Sequence, residues 1–182
     1  EAGNEQPLTQ LSNDTTPSVV IGPLATGETP VLMVNGVEVP STYNAVDGTL
    51  TPNSPLADGT QNLSYAVKDV AGNVSPASDT VAFSLDTTAP SQPAAPSNRL
   101  DEAGNEQPLA QSTDDSTPSI VVGPMAAGDT PVLLVNGTEV PATYNAEDGT
   151  LTPSTALPVG THDISYAIKD AAGNTSTPSD AV

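Results

Sequence analysis

The 182-residue sequence contains no cysteine and no tryptophan, and it has few basic residues. Without cysteine there is no disulfide framework and no thiolate metal site. Three basic residues stand against 22 acidic ones, which gives a formal net charge of −19. Nucleic acids and anionic membranes bind through clustered Lys and Arg, so the composition predicts neither as a partner. An excess of carboxylates instead favours cations as partners, or serves solubility.

Long apolar runs are also missing. No stretch of about 18 apolar residues occurs, so we expect no segment that spans or inserts into a membrane. No signal peptide opens the sequence. The chain starts in the middle of a recurring pattern at Glu1, and we therefore expect it to be a fragment of a longer protein.

Aromatic residues are too few to fill a large core. Four tyrosines and one phenylalanine are present in the chain. Aromatic side chains normally supply much of the buried area, so each core should be thin. Two domains of about 90 residues with thin cores should be marginally stable by themselves. A bound ion is one candidate for additional stabilisation.

The sequence repeats itself after 101 residues. The segment Glu1–Leu8 recurs as Glu102–Leu109, and the same offset holds without a gap to the end. About two-thirds of the aligned positions are identical. A period this long is typical of a tandem domain repeat. We predict one domain over residues 1–86, without its first segment, and one over 87–182, without its last strand.

The local patterns predict an all-β fold of two tandem immunoglobulin-like β-sandwich domains, elongated in shape. Helical periodicity is absent, and short β-branched runs lie between turn signals. Val31–Val34, Asn35-Gly36 and Val37–Val39 predict a hairpin, because Asn-Gly supplies the positive φ angles of a type I′ turn. Further strands are predicted over residues 17–24, 49–51, 61–68 and 79–85, with a first strand of the second domain near 90–96.

The joint between the copies is the stretch Leu85–Asn105, which holds three closely spaced prolines. Proline fixes φ, so the joint should be stiff. Loops of a sandwich alternate between its two ends. On this basis Asp14, Asn13 and Asp86 should lie on one side of the joint, and Asp129, Asp170 and Asn174 on the other.

Acidic loops of this kind could hold Ca²⁺, which takes six to eight oxygen ligands from carboxylates, amides and carbonyls. Suitable segments are Asp114-Asp115, Asp101-Glu102 and the Asp-x-Ala-Gly-Asn sequence at 170–174. None has the spacing of an EF-hand. The alternative is that these acids form Asx-turns and hydrate the surface. Unpaired carboxylates that cluster at one joint would repel one another without a cation, which favours the ion.

No catalytic arrangement is evident in the sequence. His162 is the only histidine, and its counterpart in the first copy is Gln61, so a surface role is expected. The Ser and Thr residues have no His or Lys partner arranged for nucleophilic attack. Paired carboxylates could serve glycoside hydrolysis, but no aromatic platform accompanies them. We therefore predict that the chain is not an enzyme.

Several short motifs, in order, resemble the bacterial immunoglobulin-like tandem repeats of large surface adhesins, of the biofilm-associated and repeats-in-toxin type. The resemblance covers both copies and implies calcium-stiffened extender rods, with Asp86, Asp101, Asp115 and Asp170 as candidate ligands. One departure is that Asp47–Pro52 lacks the aromatic strand common in that family. The motifs are Asp86–Pro90, Asp14–Pro17, Asp115–Pro118, Pro55–Thr60, Lys68–Asn73 and Lys169–Asn174.

The sequence thus predicts a calcium-rigidified extender repeat of a bacterial cell-surface adhesin, secreted and extracellular. It would project a distal adhesive domain in cell adhesion or biofilm formation, as a monomer whose partners are neighbouring repeats. The alternatives are a module that binds sugar, ice or a host protein directly, and an accessory domain of a secreted hydrolase. The predicted ligands of a structural Ca²⁺ at the inter-domain junction are Asp86, Asp14, Asp101, Glu102, Asp115, Asp129, Asp170 and Asn174.

Overall fold

A computed structural model describes residues 11–182 of the chain. The chain divides into two compact units, Glu1–Thr87 (unit 1) and Thr88–Val182 (unit 2). Every regular element among the described residues is a β-strand. In that part of the chain, no helix is long and apolar enough to cross a membrane.

Within residues 11–87, unit 1 is a sandwich of two sheets. Its strands are β1 (Leu11–Ser12), β2 (Val19–Val20), β3 (Thr29–Val34), β4 (Val37–Val39), β5 (Ser41–Asn44), β6 (Thr49–Pro52), β7 (Gly59–Lys68) and β8 (Val81–Leu85). One sheet has the strand order β1-β8-β7-β3-β4 and the other has the order β2-β6-β5. Neighbouring strands are antiparallel except β1, which runs parallel to β8.

Unit 2 is also a sandwich of two sheets. Its strands are β9 (Asn98–Leu100), β10 (Glu106–Pro108), β11 (Ser119–Val121), β12 (Thr130–Val135), β13 (Thr138–Glu139), β14 (Ala142–Asn145), β15 (Thr150–Pro153) and β16 (Ile164–Lys169). One sheet has the strand order β10-β9-β11-β15-β14 and the other has the order β13-β12-β16. All neighbouring strands are antiparallel.

The Asn-Gly hairpin is confirmed in both units. Asn35 and Gly36 have φ angles of 53° and 79°, and Val34 pairs with Val37 across the turn. A type I′ turn needs positive φ at both central residues, which asparagine and glycine tolerate. The counterpart turn at Asn136-Gly137 has φ angles of 54° and 74°.

Each unit has its own apolar core between the sheets. In unit 1 the buried set is Leu32, Val34, Leu50, Leu63, Phe83 and Leu85. In unit 2 it is Ile120, Leu133, Val135, Leu151, Ile164 and Tyr166. The small number of aromatic side chains in these sets follows from the composition.

Three details of the strand prediction were wrong. The strand predicted over 17–24 is only Val19–Val20 in unit 1. The first strand of unit 2 is Asn98–Leu100, which begins after the prolines of residues 90–96. Proline has no N–H to donate to a neighbouring strand, which accounts for this shift. Val81 alternates with Phe83 and Leu85 along the strand, so the sequence predicts that all three face inward, but Val81 is 38% exposed.

The two ends of each sandwich carry different loops. In unit 2, Leu100 pairs with Ser119, so the loops that follow β9 and precede β11 lie at one end, the Asp115 end. Thr130 pairs with Lys169, so Asp129 and Asp170 lie at the opposite end, the Asp170 end. Unit 1 has the corresponding Asp14 and Asp69 ends, because Ser12 pairs with Leu85 and Thr29 pairs with Lys68.

Candidate functional site: the acidic loops

Three loops share the sequence Asp-x-Ala-Gly-Asn and one backbone structure. In the loop Asp69–Asn73, the Asp69 N–H donates to the Asn73 carbonyl at 2.9 Å, and the Gly72 N–H donates to the Asp69 carbonyl at 3.0 Å. The same two hydrogen bonds recur in Asp101–Asn105 and Asp170–Asn174. The sequence prediction noted the 170–174 motif but missed that residues 101–105 repeat its letters.

The aspartate carboxylate holds each of these loops closed. Asp69 Oδ1 accepts hydrogen bonds from the N–H groups of Ala71 and Asn73, at 2.9 and 2.8 Å, and its Oδ2 accepts from Asn73 Nδ2 at 2.8 Å. Asp170 accepts from Asn174 in the same way. These are Asx-type turns, in which a short carboxylate takes the place of a backbone acceptor.

The Asp101 loop has the same bonds and one more. Asp101 Oδ1 accepts from the N–H groups of Ala103 and Asn105, at 3.0 and 2.8 Å. Its Oδ2 accepts from Gln107 Nε2 at 3.1 Å. The carboxylate therefore faces its own loop and strand β10.

Hydrogen bonding lowers the pKa of all three aspartates below the usual value of 3.8. For Asp69 the side-chain bond from Asn73 is the largest cause, and for Asp101 it is the backbone bond from Asn105. For Asp170, desolvation raises the pKa, but the combined bonds from Asn174 and Gly173 outweigh it. Hydrogen bonds to a carboxylate favour its charged form, so these groups stay ionised in the folded protein.

The two predicted ligands of unit 1, Asp14 and Asp86, lie at its Asp14 end. Asp14 Oδ1 accepts from the Thr16 N–H at 2.9 Å. Asp86 follows β8, and its N–H donates to the Ser12 carbonyl at 3.0 Å. Asp58 is at this end as well, where it accepts from both the N–H and the hydroxyl of Thr87. These bonds fix the backbone at the point where the chain leaves unit 1.

In unit 2 the predicted ligands fall into two groups. Asp129, Asp170 and Asn174 lie at the Asp170 end, where Asn174 Nδ2 also donates to the Thr88 carbonyl at 3.5 Å. Asp101, Glu102 and Asp115 lie at the Asp115 end, on the other side of the sandwich. Asp101 and Glu102 lie at this end because β9 carries the chain away from Thr88 before these residues occur.

The oxygen atoms of these loops are ligands that a hard cation prefers, but the described loops do not bring those oxygens together in one place. Among residues 11–182, no group of three or more His, Cys, Asp or Glu side chains is arranged to hold a metal ion. The carboxylates of Asp69, Asp101 and Asp170 already accept backbone hydrogen bonds. The Asx-turn interpretation therefore accounts for their geometry without an ion.

A groove of about 820 Å³ lies at the Asp115 end of unit 2. Arg99, the only arginine of the chain, contributes to its lining and is 8% exposed. The Arg99 Nε atom is buried and has no hydrogen-bond partner among residues 11–182. The other lining residues are Asp101, Glu102, Ala103, Gln107, Ser112, Thr113, Asp114 and Asp115.

Sequence reasoning did not single out Arg99 as a site residue. The signal in the sequence was that Arg99 is the single arginine of an acidic chain. Arg99 pairs with Ile120 across β9 and β11, and Ile120 is completely buried. Directly opposite residues of an antiparallel pair share a face, so Arg99 faces the interior of the sandwich.

His162 has a structural role close to that of Gln61. Gln61 accepts from Asn35 Nδ2 at 2.7 Å and donates to the Ala57 carbonyl at 2.7 Å. His162 makes the corresponding contacts, with Asn136 Nδ2 at 3.4 Å through Nδ1 and with the Pro158 carbonyl at 2.8 Å through Nε2. The carbonyl requires the proton on Nε2, which leaves Nδ1 as the acceptor.

Comparison with known proteins places both units in one family. The family model described as bacterial Ig-like domain matches residues 3–87 and 92–182. No curated protein matches the chain. A solved structure of the Bacteroides ovatus mixed-linkage glucan utilization locus protein SGBP-B, in complex with a mixed-linkage heptasaccharide, is 21% identical, with a TM-score of 0.32. The match covers 100% of this chain and 44% of that structure's chain.

Proposed function

Because the chain belongs to the bacterial Ig-like domain family, we propose that it is an extender segment of a bacterial cell-surface adhesin. Its role would be to hold a distal adhesive domain away from the cell, outside the cytoplasm. The observation that carries this proposal is the recurrence of one sandwich, with the same hairpin and the same Asp-x-Ala-Gly-Asn turn, in two successive units.

The path of the chain through each unit supports this role. The chain leaves unit 1 at its Asp14 end, where Asp86 is hydrogen-bonded to Ser12 and Thr87 is hydrogen-bonded to Asp58. Unit 2 begins at its Asp170 end, where Asn174 contacts Thr88. If the polypeptide enters each copy at one end of the sandwich and leaves it at the other, every added copy lengthens the chain. Tandem domains joined in this way serve as spacers.

Calcium at the joint is a second part of the proposal, and it rests on the sequence and on the placement of acids within each unit. Asp14 and Asp86 lie at the end where the chain leaves unit 1, and Asp129 and Asp170 lie at the end where it begins unit 2. Ca²⁺ binds carboxylate and carbonyl oxygens, and it would neutralise part of the −19 charge. A neutralised joint should be stiffer than a charged one.

Small-angle scattering of the chain, with calcium and with a chelator, tests both parts. We expect an elongated particle in either condition, and a narrower distribution of lengths with calcium. Thermal unfolding in the same buffers should show a higher midpoint with calcium, because an ion that binds only the folded state stabilises it. The variant Asp86→Ala should remove both calcium effects.

Asp79→Ala is the matched control, since Asp79 is an exposed acid outside the joint. It should leave the calcium response unchanged. If the lengths and unfolding midpoints of wild type and Asp86→Ala are the same in calcium as in chelator, the calcium part is overturned and the spacer part stands. A compact particle in both buffers would overturn the spacer part.

A further inference from the structure

Each unit contains one Asn-Gly pair, and each pair forms the exposed turn of a hairpin. Asn35-Gly36 and Asn136-Gly137 have nearly equal φ angles, and all four residues are exposed. Among the described residues, a Cβ atom added to Gly36 or Gly137 would contact nothing within 4 Å outside its chain neighbours. The backbone nitrogen that follows each asparagine is therefore uncrowded.

An asparagine that precedes glycine can lose its side-chain amide spontaneously. The glycine nitrogen attacks the asparagine Cγ, so that an N–C bond forms and the Cγ–Nδ2 bond breaks. The amide leaves as ammonia and takes the proton of the attacking nitrogen. Water then opens the succinimide ring and gives aspartate or isoaspartate. Glycine favours this attack because it has no side chain and permits many backbone conformations.

The folded turn of unit 1 opposes this reaction, because hydrogen bonds hold the Asn35 side chain against β7. Asn35 Oδ1 accepts from the Asn62 N–H at 2.9 Å, and Asn35 Nδ2 donates to Gln61 Oε1 at 2.7 Å. The Asn35 N–H also donates to the Asn62 carbonyl at 2.8 Å. Attack by the glycine nitrogen therefore requires the turn to open locally, and its rate follows the population of the open form.

The turn of unit 2 keeps two of these bonds and differs in the third. Asn136 Oδ1 accepts from the Asp163 N–H at 2.9 Å, and the Asn136 N–H donates to the Asp163 carbonyl at 2.8 Å. Asn136 Nδ2, however, lies 3.4 Å from His162 Nδ1. This distance exceeds the usual length of a hydrogen bond. It restrains the amide less than the 2.7 Å bond between Asn35 and Gln61 does.

His162 also differs from Gln61 because its acceptor is lost on protonation. An imidazole changes charge between about pH 5 and pH 8, and both of its nitrogens are donors in the charged form. His162 Nε2 donates to the Pro158 carbonyl at 2.8 Å, so Nδ1 is the atom that faces Asn136. A proton on Nδ1 opposes two donors and releases the amide. The charged residues on the elements beside His162 are Asp163, Glu139, Asp180 and, at the far end of β16, Lys169.

We propose that Asn136 is a site of spontaneous deamidation and that Asn35 is protected from the same reaction. The difference arises because His162 restrains the Asn136 amide less than Gln61 restrains the Asn35 amide. The turn of unit 2 therefore opens more often, and the Gly137 nitrogen then attacks Cγ.

The product changes one hairpin of the molecule and leaves the other intact. Deamidation at residue 136 adds a carboxylate to the turn between β12 and β13. An isoaspartate also lengthens the main chain by a methylene group. A two-residue turn between the paired residues Val135 and Thr138 has no room for this extra group, so the isoaspartate product should disrupt the pairing of β13.

The test is to incubate the 182-residue chain at neutral pH and to measure deamidation at both sites by proteolysis and mass spectrometry. Both rates come from the same molecule, so they share one temperature and one buffer. We expect Asn136 to react about fivefold faster than Asn35, which is the ratio that the loss of one hydrogen bond gives. Equal rates, or a faster reaction at Asn35, would overturn the proposal.

Concentrated urea provides the control for intrinsic reactivity. Both turns are unfolded there, and both sites are Asn-Gly pairs, so the two rates should become equal. A ratio in urea as large as the ratio in the native chain would assign the difference to local sequence and overturn the proposal.

Exchange of the two partner residues is the matched pair of variants. His162→Gln should slow the reaction at Asn136 to nearly the rate at Asn35, and Gln61→His should accelerate the reaction at Asn35. Glutamine makes both required contacts in unit 1, so His162→Gln should leave the fold intact. An unchanged rate at Asn136 in His162→Gln would overturn the role of His162.

The pH dependence is a readout that a purely structural role of His162 would not change. From about pH 8 down to about pH 6, the ratio of the Asn136 rate to the Asn35 rate should rise, because the imidazole gains a proton. In His162→Gln the ratio should stay constant, since an amide does not titrate. A wild-type ratio that is independent of pH would overturn the protonation step.

Discussion

Unit 1 and unit 2 are identical at about two-thirds of their aligned positions, yet some aligned side chains are buried to different extents. Four buried residues of unit 1 have buried counterparts in unit 2, namely Leu32, Val34, Leu50 and Leu63. Ile120 and Tyr166 are buried in unit 2, whereas their counterparts Val19 and Tyr65 are only partly buried in unit 1. The same local sequence therefore gives the same strands, but the burial of a side chain depends on what packs against it.

The loops show the opposite behaviour. The Asp-x-Ala-Gly-Asn turns of the two units have the same hydrogen bonds, with distances that agree within 0.1 Å for the paired backbone bonds of Asp69 and Asp170. All donors and acceptors of such a turn lie within five residues. Its structure is therefore determined within the loop itself.

The largest expected effect comes from Phe83→Ala in unit 1. Removing a buried phenylalanine costs about 3–5 kcal/mol of unfolding free energy, which is a large share of the stability of a small domain. Urea unfolding followed by NMR should show a large fall in the midpoint of unit 1 and no change in unit 2. Val81→Ala is the control, since Val81 is 38% exposed and should cost far less. Equal losses in the two variants would contradict the assignment of the core to β8.

Tyr43→Phe and Tyr144→Phe should both have intermediate effects. The Tyr43 hydroxyl donates to the Gly22 carbonyl at 2.9 Å, and the Tyr144 hydroxyl donates to the Gly123 carbonyl at 3.0 Å. The Tyr144 hydroxyl also accepts from the Met125 N–H at 3.2 Å, so Tyr144→Phe should cost more than Tyr43→Phe. Loss of one such bond costs about 1 kcal/mol. Chemical denaturation of each variant measures the cost. Tyr166→Phe should cost less, because its bond to the Val122 carbonyl is long, at 3.4 Å. A greater loss for Tyr166→Phe would contradict this ranking.

Acid should destabilise unit 2 more than unit 1. Asp69 has a lowered pKa in unit 1, and Asp101 and Asp170 have lowered pKa values in unit 2. A carboxylate with a lowered folded pKa stabilises the fold above its unfolded pKa, and this contribution is lost as the pH falls through the folded pKa. Urea midpoints of both units should therefore fall below pH 3.8, and more steeply in unit 2.

The variant Asp101→Asn tests the difference in acid sensitivity between the two units. It removes one of the two titrating turns of unit 2, so the acid-induced shifts of the two units should become similar. Asp163→Asn is the control, since Asp163 is an exposed acid outside these turns. A steep acid loss that persists in Asp101→Asn would mean that other groups control the acid sensitivity of unit 2.

The smallest effect is expected for His162→Gln. Gln61 shows that glutamine makes the same two contacts at this position, with an asparagine side chain and a backbone carbonyl. The variant should change the stability of unit 2 by no more than about 0.5 kcal/mol. His162→Ala should cost more, because it leaves Asn136 and the Pro158 carbonyl without this partner. A thermal melt of the two variants decides between these outcomes.

Sequence alone determined the features that depend on residues close together in the chain. The Asn35-Gly36 turn, the tandem repeat and the all-β class follow from short-range chemistry and from recurring letters. The Asp170–Asn174 loop was recognised as an acidic turn, although its carboxylate oxygens are used within the loop. Spacing cannot show whether an oxygen is turned inward or outward.

Tertiary structure decided which distant residues meet. Leu11 lies beside Ser84 in a parallel pair, and no local pattern gives a partner 73 positions away. Strand β9 carries Asp101 to the end of unit 2 opposite Asp170, although both belong to the same type of turn. The burial of Arg99 depends on Ile120 and the second sheet. These facts follow from packing between sheets, whose energy depends on contacts that a linear pattern does not contain.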